Sequence, residues 1–191
     1  MPSVRPTDTS WTIISNQKQF VSPLTGAIQA AQRTGNRWKA TLTFSDLFDA
    51  DRALMQAFLA QLQATANNFY LEDHSYSRRA DGGGTPVVNG GSQTGNELVT
   101  DGWTGTYAMR AGDFFEVNGE LKMAVADAAI TAGAATIDFV PELRASPSDN
   151  AAITITSPKG IFRLMKNESS WSNRSPRISS FTFEAVEDVL A

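Results

Sequence analysis

The sequence predicts a mainly β protein of the α+β type: a β-rich base domain with one helix, carrying an inserted small β-barrel or sandwich. Three observations lead there. Segments with a period of two recur near both ends of the chain. A single stretch carries the apolar stripe of an amphipathic helix. The middle of the chain is a series of short apolar runs between Gly-, Asn- and Thr-rich turns.

The clearest strand is "RWKATLTF", with Trp38, Ala40, Leu42 and Phe44 on one face and Lys39, Thr41 and Thr43 on the other. Upstream, "GAIQAAQR" leads into Thr34-Gly35-Asn36, which reads as a hairpin turn joining two strands. The helix is expected over about 49–66. Leu54, Met55, Phe58, Leu59 and Leu62 form its stripe, and Asp49 or Asp51 caps its start. The stripe is expected to pack on the sheet containing Trp38, Leu42 and Phe44. "NFYLED" follows as a strand.

Beyond His74 the composition changes. "DGGGTPVVNGGSQTGNE" and "TDGWTG" read as long turns, with "AATIDFV" and "AAITIT" as short strands. In "FFEVNGELKMAV", Asn118-Gly119 is the signature of a type I′ hairpin turn. Val117 then pairs with Glu120, Glu116 with Leu121, and Phe114 with Met123. Phe114, Leu121, Met123 and Val125 share one face, while Phe115, Val117 and Lys122 share the other. After Pro158-Lys159-Gly160, "GIFRLMKN" and "RISSFTFEAV" read as long strands, with Phe181 and Phe183 alternating against Thr182.

These segments divide the chain into a base built from 1–74 and 158–191, and an insert built from 75–157. Insertions enter at exposed loops where entry and exit lie close together. Removal of the insert is therefore expected to leave a folded base. The insert holds five Lys and Arg against ten Asp and Glu, a net of −5; the remainder holds eleven against ten, a net of +1. That asymmetry suits an acidic outer domain on a self-associating base, and an incidental imbalance is an equally open reading.

Composition narrows the function classes. With 41% apolar and 19% charged residues the chain has the makings of a packed core. A net charge of −4 argues against general nucleic-acid binding. The absence of cysteine removes disulfides, thiolate catalysis and thiolate metal sites. No apolar run approaches the ~20 residues of a membrane span, and the N-terminus has no signal-peptide core, so no membrane insertion is expected. The sequons at Asn167 and Asn173 are read as incidental.

No residue stands out as catalytic, cofactor-binding or metal-ligating. His74, with Asp73, Ser75 and Ser77 beside it, has the residue types of a hydrolytic relay. Adjacent residues of a strand point to opposite faces, however, so a structural role is expected. The Gly-rich runs lack the Gly-Lys-Ser/Thr of a phosphate cradle. No carboxylate pair is singled out for glycoside hydrolysis. Trp103 and Tyr107 in "DGWTGTY" could stack on a sugar or close the core of a small domain; core closure is the expectation.

Several stretches resemble the distal tail proteins of long-tailed, non-contractile bacteriophages. These are "AFLAQLQATANNFYLEDHSYSRR", "GGGTPVVNGGSQTGNELVTDGW", "RAGDFFEVNGELKMAVAD" with the later "LRAS", and the closing strand with Phe181, Phe183 and "AVED". The resemblance spans most of residues 11–190 and rests on spacing, without a catalytic signature. It implies a structural virion protein whose base is a β-sandwich domain with one flanking helix, related to the tail tube subunit. Six copies would close into a homo-hexameric ring connecting tail tube protein to tail tip or hub proteins. The inserted barrel would face outward, and DNA would pass transiently through the ring. It implies no catalysis and no cofactor, assembly in the host cytoplasm and residence in the virion tail. A tail tube subunit of related fold remains open, as does a carbohydrate-binding module contacting host glycans through the insert.

Overall fold

The computed structural model describes residues 1–174 and 177–189. Ser175 of the second sequon and the last two residues of the base segment lie outside them. The strands are β1 (Asp8–Ile14), β2 (Gln17–Val21), β3 (Ile28–Gln32) and β4 (Arg37–Phe48), then helix α1 (Asp49–Leu62) and β5 (Asn68–Leu71). Next come β6 (Gly83–Val88), β7 (Gly95–Thr104), β8 (Tyr107–Met109), β9 (Phe114–Val117), β10 (Glu120–Ala124), β11 (Ala128–Ala129), β12 (Ala135–Leu143) and β13 (Ile153–Thr154). Last are β14 (Gly160–Leu164), β15 (Trp171–Arg174) and β16 (Ile178–Glu187). The protein is mainly β, as its periodicities predict.

Two antiparallel sheets divide the strands. The first runs β1-β4-β16-β14-β5, with β15 beside the opening half of β16. Its strands come only from the two ends of the chain. The second runs β13-β9-β10-β12-β7-β6, and a bridge between Val87 and Ala152 brings its two edges together into a nearly closed barrel. Its strands come only from the middle. The β8–β11 ribbon lies beside it.

Alternation in β4 buries Trp38, Ala40, Leu42 and Phe44, as expected. Across the register, Leu42 faces Phe183 and Ala40 faces Ala185. Cross-strand partners share a face, so one side of this sheet is a continuous apolar surface. Two different elements cover it. Met55, Leu59 and Leu62 of α1 cover part, with Phe58 edge-on to Phe69 at 5.4 Å. Phe114, Leu121 and Met123 of the barrel wall cover another part. The layer opposite the base sheet is therefore a helix plus the β9–β10 hairpin of the second sheet.

The hairpin has the register its Asn-Gly turn demands, with Val117 opposite Glu120 and Phe114 opposite Met123. Asn118 and Gly119 sit at φ 53° and 76°, the left-handed pair of a type I′ turn. Phe115 and Val117 point the other way, into the barrel core with Leu98, Ile137 and Phe139. Val125, expected on the face of Leu121 and Met123, lies beyond the end of β10 and is half exposed.

Four local expectations are corrected. Thr34-Gly35-Asn36 does not join a hairpin: β3 pairs with β2, and β4 pairs with β1 and β16. The helix cap is Phe48, still extended at φ −109°, and no side chain bonds there; Asp49 and Asp51 lie inside the first turn. The helix stops at Leu62 because Gln63 and Ala64 turn left-handed, and Asn67 closes the end by donating from its backbone N to Leu62 O at 3.1 Å. Leu54 is half exposed, so the buried stripe is narrower than predicted.

Candidate functional site

The chemistry-bearing residues of the sequence do not converge. Asp73 Oδ1 accepts from the backbone N and the Oγ of Ser75 in a local turn. His74 instead faces Glu72, with Nδ1 3.6 Å from Oε1. Both lie in a cleft of about 380 Å³ lined also by Arg5, Tyr76 and Arg78, where the two connections between the sheets run together. Trp103 is buried in the barrel and donates from Nε1 to Thr100 Oγ1 at 2.7 Å. Tyr107 is covered by the Arg110 guanidinium, 3.4 Å from its ring centre. Trp103 thus closes a core, as expected, and offers no face to a sugar. Among the described residues, no three or more His, Asp or Glu side chains gather as metal ligands. No helix there is long and apolar enough to cross a membrane.

The polar groups that do converge lie at the seam between the two sheets. Asp113 is fully buried and accepts from the backbone N of Arg79 (2.8 Å), Ala80 (3.0 Å) and Arg110 (2.9 Å), and from the Tyr76 hydroxyl (3.3 Å). It fastens the first connection to the barrel. Burial, reinforced by the Asp113 charge, pushes the Tyr76 phenol up to about 12.

A second cluster joins β4, β10, β12 and β16. Glu187 closes β16 and accepts from Trp38 N at 3.2 Å in the base sheet and from Leu121 N at 3.1 Å in the barrel. The Arg144 guanidinium lies 3.1 Å from the same carboxylate. Trp38 Nε1 donates back to Leu121 O at 2.9 Å. Lys122, fully buried, reaches Glu120 at 2.5 Å and Glu142 O at 2.8 Å. Burial pushes the Lys122 ammonium down, and Glu120 opposes that shift. Glu142 reaches across to the base: Oε1 accepts from Gly35 N at 2.8 Å and Asn36 N at 3.3 Å, and Oε2 from Asn36 Nδ2 at 2.7 Å. Burial alone would raise the Glu142 carboxyl, but these donors, with a bond from its own backbone, hold it below the usual range. A buried ion pair is weak evidence of net stability, but removing one partner leaves an uncompensated charge. The cluster therefore fixes how the sheets sit against each other.

Two exposed surfaces stand out among the described residues. The outer face of the base sheet carries Lys39, Thr41, Thr43, Thr182 and Glu184, with Lys39 and Glu184 paired at 2.6 Å. The other is the β2–β3 arm. Every residue of β2 is exposed, and Phe20, Val21, Leu24 and Ile28 are 55–95% exposed. An isolated two-stranded ribbon is marginal in water. Over residues 15–36 the arm carries Lys18 and Arg33 and no Asp or Glu.

Sequence reading missed the seam because its members are single polar letters far apart in the chain. Glu187 and Leu121 are 66 positions apart, and Glu142 and Asn36 are 106 apart. The one usable signal was Lys122, a charge on the apolar side of a hairpin. Comparison with protein-family models finds no match, and comparison with curated proteins finds none.

Proposed function

We propose that the protein is a structural virion component that forms a closed ring in a phage tail, connecting the tail tube to the tail tip. The observation that carries this reading is the arm. It presents large apolar side chains on a ribbon that no other layer covers among the described residues, the kind of surface that marks contact with another molecule. The arm is cationic, while the whole chain is −4 and the rest of it therefore −6, so a second copy is an electrostatically suited partner. Among the described residues the arm has no equivalent elsewhere in the fold. A copy-to-copy contact in which the arm seats on a different surface of its neighbour is head-to-tail, the contact type that closes rings.

The uncovered face of the base sheet supports the same reading. Its threonines and neutralised charges suit the wall of a water-filled channel through which a tail tape and DNA would pass without specific contact. The resemblance to distal tail proteins adds the expected neighbours, tail tube and tail tip or hub proteins, and the expected count of six copies. In this role the protein performs no catalysis and needs no cofactor.

A triple variant, Phe20→Ser, Leu24→Ser and Ile28→Ser, tests the arm. Light scattering should show loss of assembly with an unchanged circular dichroism spectrum. Assembly at the wild-type mass would remove the arm from the contact and take away the reading's main support.

A further inference from the structure

The arm has two roots, Ser15-Asn16 between β1 and β2, and Arg33–Asn36 between β3 and β4. Among the described residues, the hydrogen bonds of 17–31 stay within the arm and its roots. With no layer packed on it, its direction is set where the roots meet the body.

The roots are tied to each other by three bonds. Arg33 N donates to Asn16 O at 2.8 Å, Asn16 Nδ2 to Thr34 O at 2.8 Å, and Asn16 N to Asn36 Oδ1 at 2.7 Å. Asn36, unlike the arm it supports, is buried. Its other side-chain atom, Nδ2, donates to Glu142 on β12 of the barrel at 2.7 Å. Glu142 also takes the backbone N–H of Gly35 and Asn36. One amide side chain thus has its acceptor on the arm's first root and its donor on the barrel.

We propose that Glu142 is the link through which the barrel sets the direction of the arm. The chain of contact is continuous: β12, Glu142, Asn36, Asn16, arm. It passes through no other side chain. Coupling of this kind needs an element that both sides bias, and here it is the pair of roots. The inference concerns the link itself and stands whether or not the arm makes ring contacts. Where it does, a partner that shifts the barrel changes how the arm is presented.

The substitution Glu142→Gln isolates the link. A glutamine amide keeps the shape but replaces one acceptor oxygen with a donor, which meets either Asn36 Nδ2 or, with the amide turned over, the backbone N–H groups of Gly35 and Asn36. If Asn36 flips to accept that donor, its own Nδ2 then faces Asn16 N. In each arrangement one donor meets another, and an unsatisfied buried pair loosens the root.

The chain lacks cysteine, so Leu24→Cys at the arm tip and Ala126→Cys on the barrel surface can carry spin labels on the full-length protein. Dilution with unlabelled chain keeps the distances intramolecular. Pulsed dipolar spectroscopy should give one narrow tip-to-barrel distance in the parent, and a broadened, shifted distribution with Glu142→Gln. An equally narrow distribution in the variant, or a broad one in the parent, would overturn the inference. If circular dichroism shows that Glu142→Gln unfolds the barrel, Asn36→Ala decides instead. It cuts the same link from the base side, and a narrow distance there would refute the coupling.

Discussion

Excision of residues 75–157, with a short Gly/Ser bridge from residue 74 to 158, should not leave a stable base. Loop closure favours the shortened chain, but only by about 0.6 kcal/mol per halving of loop length. Against this, the base sheet loses the cover provided by Phe114 and Leu121, both buried in its apolar cluster, and by the half-buried Met123. Full burial of such side chains contributes about 1.5–3 kcal/mol each, so Phe114 and Leu121 alone account for roughly 3–6 kcal/mol. Phe114 also lies 5.6 Å from Trp38 and 6.3 Å from Trp11, ring contacts worth about 0.5–1.5 kcal/mol each. Trp38 Nε1 would lose its acceptor, and Glu187 would lose Leu121 N and Arg144. The total is comparable to the ~5–15 kcal/mol stability of a whole domain. Chemical denaturation followed by circular dichroism, with a hydrophobic dye, measures the outcome. The expected product binds dye and lacks a sharp transition. A bridged base that unfolds cooperatively and binds no more dye than the full chain would refute the shared-core argument.

Three further outcomes follow from particular residues. Met55→Ala should cost about 2–5 kcal/mol in denaturant unfolding, whereas Leu54→Ala, on the exposed side of the same helix, should stay within about 0.5 kcal/mol. Gly119→Ala should lower stability by about 1–2 kcal/mol, because φ is 76° and the new Cβ would meet Ile161 Cδ1 at 3.1 Å; thermal unfolding reads this directly. Tyr76 should ionise well above the ordinary tyrosine range in a near-ultraviolet titration. Because its folded pKa is raised to about 12 from 10.0, the folded state holds the proton longer than the unfolded one. Its contribution to stability is therefore complete below the unfolded value and is lost as pH rises between the two.

Where an element declares itself by local chemistry, the sequence was enough. Asn118-Gly119 determined not only a hairpin but its register, since a two-residue turn leaves one pairing and period two then assigns every face. The β4 alternation identified the core face of the base sheet, and the composition break after His74 separated the strands of the two sheets. Elsewhere distant partners decided. Thr34-Gly35-Asn36 has turn chemistry, but its amides are taken by Glu142 from the barrel, and its strand pairs with β1 and β16 instead of β3. Phe114, Leu121 and Met123 were placed on one face without a sign that this face meets Trp11 and Trp38. Of the surfaces behind the proposed function, the arm is the least legible: "GAIQAAQR" reads as a strand leading into Thr34-Gly35-Asn36, and only the fold pairs it with β2 and leaves it bare.

The central claim is that copies of this chain close into a ring, and native mass measured together with negative-stain imaging tests it most directly. The account predicts particles of six chains, each a single ring with an open centre, whose mass does not grow as concentration rises. A strictly monomeric protein across the same range would contradict it. Open-ended stacks of rings would place the chain in the tube itself instead of at its end.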